Sequence, residues 1–312
     1  MPKTKSRGAI IAHEAKNTYI PQIQHYYGSV WPATSYLCFS ESMKPPPKKD
    51  DPLKCRFANP TYEAFYDRDP IDLALNWADP EDPRPIPVIM PANEKRPGGD
   101  WESSVMLPEE CLCRRSNLSA TLATPAIGNA GEYNYPIPPK AGIYSPNVVV
   151  FRGGPERYDV WSHYKALPVI SVCPPRRPKL DSSGKKYSFH QERDIMREKI
   201  YLALRIAIWF KHTRLCIGTF GLGNGFGNPT EEVAKLWRDA LLHNKEFEGY
   251  FGDVVFSFES PEGPATNQQS SCRGASSSKS RAVNQSRSNT SSDLEIFKQV
   301  FKPSNIHNAF NT

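Results

Sequence analysis

The sequence predicts an α/β protein: a mixed, mainly parallel sheet with helices on its faces, followed by a disordered C-terminal tail. Three observations lead there. Short apolar, β-rich runs alternate along the chain with amphipathic helical stretches, the order that a largely parallel sheet requires. Two apolar runs end in glycine-bearing turns, the place where such sheets open to ligands. From about Glu259 the large apolar side chains give out.

Taken in order, Ile10, Ile11, Ala15 and Ile20 recur at helical spacing and predict an N-terminal helix over residues 7–24. Residues 40–54, SESMKPPPKKDDPLK, are a charged, proline-rich surface loop. Asp69-Pro70 opens a short helix through IDLALNWA, residues 78–87 form a second proline loop, and IPVIM (86–90) is a buried strand. CLCRRSNLSATLA (111–123) predicts one helix, stopped at Thr124-Pro125. NVVVF (147–151) and LPVISVC (167–173) predict strands. Residues 191–212 form the strongest helix, with Met196, Ile200, Leu204 and Ala207 along one stripe. RLCIGTF (214–220) is a short strand, GLGNGFG a glycine loop, NPTEEVAKLWRDALLHN a helix and DVVFSF (253–258) a further strand.

This gives one domain over residues 1–259, a disordered Ser-rich linker over 260–291, and a short amphipathic helix and tail over 292–312. The linker has too few large apolar groups to offset its ordering entropy. DLEIFKQVF (293–301) either docks back on the domain or binds another, unknown protein.

Composition removes several function classes. A chain of 312 residues with 38% hydrophobic content buries a sizeable core without staples. The net charge of +6 suits anionic ligands, but no Lys/Arg run is dense enough to predict direct nucleic-acid binding. The cysteines Cys38, Cys55, Cys111, Cys113, Cys173, Cys216 and Cys272 include no Cys-x-x-Cys pair, and Cys111-Leu-Cys113 has the wrong spacing for a zinc knuckle. They read as reduced, mostly buried thiols. The N-terminus has no continuous apolar core of the secretory kind, and no segment approaches the roughly 20 apolar residues of a membrane span. The expected setting is cytoplasmic or nuclear, without membrane attachment.

Two loops carry the chemistry. GTFGLGNGFGNPTEEV (218–233) lies where a strand gives way to a helix, so its amides and the helix N-terminus form an anion cradle suited to a diphosphate. Its glycines run G-x-G-x-G-x-G, which is not the dinucleotide fingerprint, and no Gly-Lys-Ser/Thr follows to make a triphosphate loop. A tight turn without ligand is the plain alternative. Phe226, an aromatic in an exposed flexible loop, favours stacking on a base or sugar. VIMPANEKRPGGD (88–100) repeats the arrangement with Asn93, Gly98 and Gly99. If their strands are neighbours, the two loops face each other across one cleft.

Pro108-Glu109-Glu110 has two readings. Proline at the first helical position followed by acids is a helix start, a device repeated at Pro229-Thr230-Glu231-Glu232. In a cleft beside a glycosidic bond, the same carboxyl groups would protonate a leaving oxygen and then activate water.

The order VIMPANEKRPGGD, LPEECLCRRSNL, GIYSPNVVVFR (142–152), LPVISVC, Met196–Ile200 and CIGTFGLGNGFGNPTEEVA, with RGAIIAHEAKNT near the start, resembles the microbial-type poly(ADP-ribose) glycohydrolase family. It extends over residues 7–259, and the proline-rich insertions and Ser-rich tail resemble the fungal branch. The resemblance implies a macrodomain-like three-layer α/β/α fold that acts on ADP-ribose or ADP-ribosylated protein without metal or other cofactor. It implies Glu110 as catalytic acid and Glu109 as its ribose-binding neighbour. It implies Asn93 at the distal ribose, Gly98 and Gly99 lining that sugar, and Asp100 as the ligand-binding position that follows them. Gly221, Gly223, Asn224, Gly225 and Gly227 would wrap the diphosphate, with Phe226 packed on the ribose.

Three positions depart from the family pattern. Asp100 replaces a third glycine, Pro108 replaces a glutamine, and the second glycine loop is one residue longer. An acid so near a diphosphate repels it unless turned outward or neutralised, and Arg96 is the candidate partner. The alternative expectation is a reader that binds ADP-ribose with weak catalysis or none.

Overall fold

The computed structural model describes residues 6–43, 61–65, 68–77, 82–258, 293–302 and 304. Of the predicted loops, residues 44–54 and 78–81 lie outside the described residues, as does the linker over 260–291.

The N-terminal rod runs further than predicted. Helix α1 (Arg7–Glu14) starts at Ser6, whose hydroxyl accepts the Ala9 N–H, and a π-helical turn (Ala15–Tyr19) carries it into α2 (Ile20–Tyr27). Strand β1 (Tyr36–Phe39) follows. Strand β2 (Thr61–Phe65) was not predicted; it is short and carries Glu63 within its run. Helix α3 (Pro70–Asn76) begins at the predicted Asp69-Pro70, where the Asp69 carboxylate accepts the N–H groups of both Ile71 and Asp72. All four residues of β3 (Val88–Pro91) are buried.

The helix predicted over 111–123 is two: α4 (Pro108–Arg115) and α5 (Leu118–Ala123). Local propensity favours one helix, but a tertiary contact breaks it. Asn117 N–H donates to the Val149 carbonyl at 3.1 Å, and Asn117 Oδ1 accepts the Val149 N–H at 2.8 Å. Asn117 thus acts as one rung of a sheet.

Strands β4 (Ala141–Arg152) and β5 (Val160–Val172) are longer than their apolar centres and pair antiparallel. Helix α6 (His190–Trp209) presents its predicted stripe to the core and also buries Lys199 and Arg205. Strand β6 (Arg214–Ile217), helix α7 (Thr230–Arg238), a π-helical turn (Asp239–His243) and strand β7 (Asp253–Ser257) complete the alternation.

Among the described residues the strands form one sheet in the order β1-β4-β5-β3-β6-β7-β2. Pairs from β5 to β2 run parallel, and β1-β4 and β4-β5 run antiparallel. Two apolar cores, one on each face, make the three layers. Ile89 joins the core with α6 and α7, while Val88 and Met90 join the core with the N-terminal helices, α4 and α5.

Residues 293–300 are helical and pack onto the domain. Phe297, Val300 and Phe301 are buried, with Phe297 and Phe301 rings against Phe256 at 5.1 and 4.9 Å. Asp293 accepts the Thr230 hydroxyl at 2.6 Å, tying this helix to the first turn of α7.

Candidate active site

β3 and β6 lie side by side in parallel register, Val88 opposite Cys216 and Ile89 opposite Ile217. The turns that follow them therefore leave the same sheet edge as neighbours.

After β3, the Asn93 side chain closes its own turn by accepting the Lys95 N–H at 2.8 Å. Gly98 and Gly99 follow with φ of +76° and +57°, a backbone that glycine adopts without strain. The turn aims three N–H groups at the start of α4. Asn93 N–H donates to Glu109 Oε2 at 2.6 Å, Gly98 N–H to Glu109 Oε1 at 3.2 Å, and Asp100 N–H to Glu110 Oε1 at 3.2 Å.

The two readings of Pro108-Glu109-Glu110 hold together. Pro108 is the first residue of α4 and the acids occupy its first turn. Yet their side chains face inward, 4% and 3% exposed, which a helix start alone does not require. Burial, and next the charge of Glu110, push the Glu109 carboxyl up to about 8. The Asn93 and Gly98 N–H groups and the Arg176 charge pull the other way. A carboxyl that keeps its proton near neutral pH is a feature of acid–base sites.

In the glycine loop, Gly221, Gly223 and Gly227 have positive φ. Asn228 braces the loop, donating to the carbonyls of Gly221 and Pro175, both at 2.8 Å. Asn224 is exposed. Gly225 meets Leu107, where a β-carbon would lie 2.6 Å from Leu107 Cδ2. Leu107 immediately precedes Pro108-Glu109-Glu110, so the two loops touch beside the carboxylates.

One predicted residue is placed differently from the expectation, and a second meets the condition set for it. Phe226 is not an exposed ring awaiting a ligand: it is 2% exposed, and the Arg176 guanidinium lies 4.9 Å from its centre. Burial of the ring and the cation above it hold it inside the loop. The Arg177 N–H also donates to the Phe226 carbonyl at 2.5 Å. Asp100 turns its side chain outward, where it pairs with Arg96.

Arg176 is a residue that sequence reasoning missed. It belongs to the segment after β5, and no local pattern marks it; only strand order sets β5 next to β3. Tyr135 was missed likewise. Its buried hydroxyl has no hydrogen-bond partner among the described residues, and the charge of Glu109 helps raise its pKa, after burial. Asn93, Asp100 and Arg176 stand in the wall of a cavity of about 1500 Å³ between the strand ends and α6. No cluster of three or more His, Cys, Asp or Glu suited to a metal occurs among the described residues. No described helix is long and apolar enough to cross a membrane.

The fold is a macrodomain-like α/β/α domain whose candidate site is two loops closed over a buried carboxyl pair. Within that class, residues 54–153 match the profile of the microbial-type PARG catalytic domain. Several solved structures share the fold. Poly(ADP-ribose) glycohydrolase from Thermomonospora curvata superposes with a TM-score of 0.63 at 17% identity, covering 94% of this chain and 99% of that one. The same enzyme bound to the inhibitor ADP-HPD gives 0.58 at 20% identity over 80% of this chain and 92% of that one. Poly(ADP-ribose) glycohydrolase from Deinococcus radiodurans in complex with ADP-ribose gives 0.59 at 18% identity, covering 91% and 98%. No curated protein sequence matches this chain significantly.

Proposed function

We propose that this protein is an ADP-ribosyl hydrolase that cleaves O-glycosidic ADP-ribose linkages, with Glu110 as acid and base. The observation that carries the reading is the Glu110 carboxyl, buried beneath Gly99 and oriented by the Asp100 N–H, where the loop after β3 meets the glycine loop. The glycohydrolase profile over residues 54–153 and the ADP-ribose-bound structures of the same fold support it.

In this reading the glycine loop holds the diphosphate and the turn at Asn93, Gly98 and Gly99 holds the distal ribose. Glu110 gives its proton to the leaving oxygen as the bond from that oxygen to the anomeric carbon breaks. Water then adds to the anomeric carbon and its proton passes to Glu110, restoring the acid. Glu109, fixed by two backbone N–H groups, positions a ribose hydroxyl. The Arg96 pairing answers the charge of Asp100, so the departure at that position is compatible with an anionic ligand.

The test is release of ADP-ribose from poly(ADP-ribose) and from mono-ADP-ribosylated protein. Glu110→Gln should cut kcat by about 10²–10⁴-fold while ADP-ribose still binds. Release no faster than that of Glu110→Gln, on both substrates, would remove the enzyme reading, and calorimetry would then show whether a reader remains.

We further place the chain in the fungal branch of the family it resembles, on its proline-rich insertions and Ser-rich tail. We place it in the cytosol or nucleus because Cys38, Cys113, Cys173 and Cys216 are free thiols among the described residues.

A further inference from the structure

The segment that leaves β5 is laid along the glycine loop. The Asn228 amide donates to the Pro175 carbonyl and to the Gly221 carbonyl, both at 2.8 Å. The Arg177 N–H reaches the Phe226 carbonyl at 2.5 Å. The Tyr187 hydroxyl donates to Asn228 Oδ1 at 2.9 Å, and a β-carbon on Gly221 would stand 3.2 Å from Pro174 Cβ. Segment and loop are thus tied into one body. Where they meet, Arg177 has φ of +50°, a left-handed backbone that costs a residue with a side chain. Strain of that kind persists where surrounding contacts over-determine it, and it collects at functional sites.

Arg176 stands at the centre of this junction. Its guanidinium lies 4.9 Å from the centre of the Phe226 ring, within reach of the attraction between a cation and an aromatic face. It also lines the large cavity together with Asn93, whose N–H donates to Glu109 Oε2 at 2.6 Å. Its charge acts on the Glu109 carboxyl. One side chain therefore touches the glycine loop through a ring and the carboxyl pair through its field. The other titratable groups around Glu109 are Glu110 and Cys113 on α4, Tyr135 on the approach to β4, and Cys173 just after β5. Burial raises both thiols and the phenol, Cys173 to about 12, so these three stay neutral where Glu109 titrates.

We propose that Arg176 is a positioning residue for hydrolysis: it clamps the Phe226 ring from the cavity side, holds the glycine loop closed over the sugar, and turns its positive charge towards Glu109. The role rests on the hydrolase reading above and extends it to a residue outside both loops. Arg176 moves no proton and breaks no bond; it acts through Phe226 and Glu109.

The experiment measures release of ADP-ribose from poly(ADP-ribose) by Arg176→Ala, Phe226→Leu and the double variant. Arg176→Ala should lower kcat about threefold or more, the effect of losing one such contact, while the calorimetric affinity for ADP-ribose changes less than about twofold. The double variant should be no slower than Phe226→Leu alone, because the clamp is already lost there. Additive losses would overturn the role. So would a lower melting temperature with unchanged kcat, the mark of a purely structural contact. A loss of ADP-ribose affinity as large as the loss of kcat would also overturn it, making Arg176 a direct ligand contact. Arg176→Lys, which keeps the charge, should recover part of the rate. The pH profile decides independently, whether or not Phe226→Leu folds. Arg176 favours the ionised form of Glu109, so its removal should move the alkaline limb of kcat to higher pH, and lysine should return it. A limb that stays in place in Arg176→Ala would overturn the link to Glu109. An unmodified protein that releases no ADP-ribose sinks the hydrolase reading, whereas turnover with additive variants sinks the Arg176 role alone.

Discussion

Gly99 and Glu110 share a space that admits only one of their side chains: a β-carbon at position 99 would lie 2.5 Å from Glu110 Oε1. The carboxyl occupies the volume that glycine leaves empty. Because Glu110 is 3% exposed, it cannot swing into water to make room.

Gly99→Ala should therefore disable the enzyme more than it unfolds it. The alanine pays about 1–2 kcal/mol for φ of +57° and displaces the carboxyl from the Asp100 N–H. A displaced acid should cost at least about 100-fold in kcat. Steady-state turnover beside a thermal melt checks this, and a wild-type kcat in a folded variant would contradict it.

The Glu109 carboxyl predicts a pH dependence. Its folded pKa, about 8, stands above its unfolded value of 4.5. The folded state thus holds the proton more tightly, and the associated stability is present in full below about pH 4.5. It is lost as pH rises through about 8. Urea unfolding at a series of pH values should show stability declining across that window, with a shallower decline in Glu109→Gln. Activity should fall on the same alkaline side, because ionised Glu109 sets a negative charge beside the anionic substrate.

Arg96 and Asp100 are 61% and 50% exposed, so their pairing contributes little to stability. Its effect should appear in binding. Arg96→Ala uncovers the Asp100 charge and should weaken ADP-ribose binding a few-fold at low salt, with the difference shrinking near 0.5 M salt. Titration calorimetry at two ionic strengths measures it; a salt-independent loss would point instead to a lost direct contact.

Phe297 is 2% exposed among Phe256, Phe258 and Phe301. Phe297→Ala should destabilise the domain by about 3 kcal/mol through lost burial and a residual cavity. A change in the urea midpoint worth less than about 1 kcal/mol would mean that the helix is not part of the cooperative unit.

Strands β3 and β6 were legible because each is a compact apolar run ending at a break, and α4 because proline and two acids mark its first turn. Joining their two loops needed only that the strands be neighbours. What escaped was non-local. Asn117 divides α4 from α5 by pairing with Val149, a contact invisible within the 111–123 window. Arg176 reaches Phe226 across 50 residues of chain. Phe226 itself reads as exposed because glycines surround it, whereas its burial depends on the segment after β5. Strand β2 is held by parallel pairing with β7, whose sequence lies far downstream.

The seating of the last helix decides how far this chain can be shortened. A version ending just after β7 would discard the Ser-rich segment together with the cover over Phe256 and Phe258. Those rings would then join a greasy outer surface, and the Thr230 hydroxyl would lose its carboxylate at the root of the glycine loop. Such a trimmed protein should precipitate during expression, whereas joining residue 258 to residue 293 through a short flexible spacer should keep it soluble.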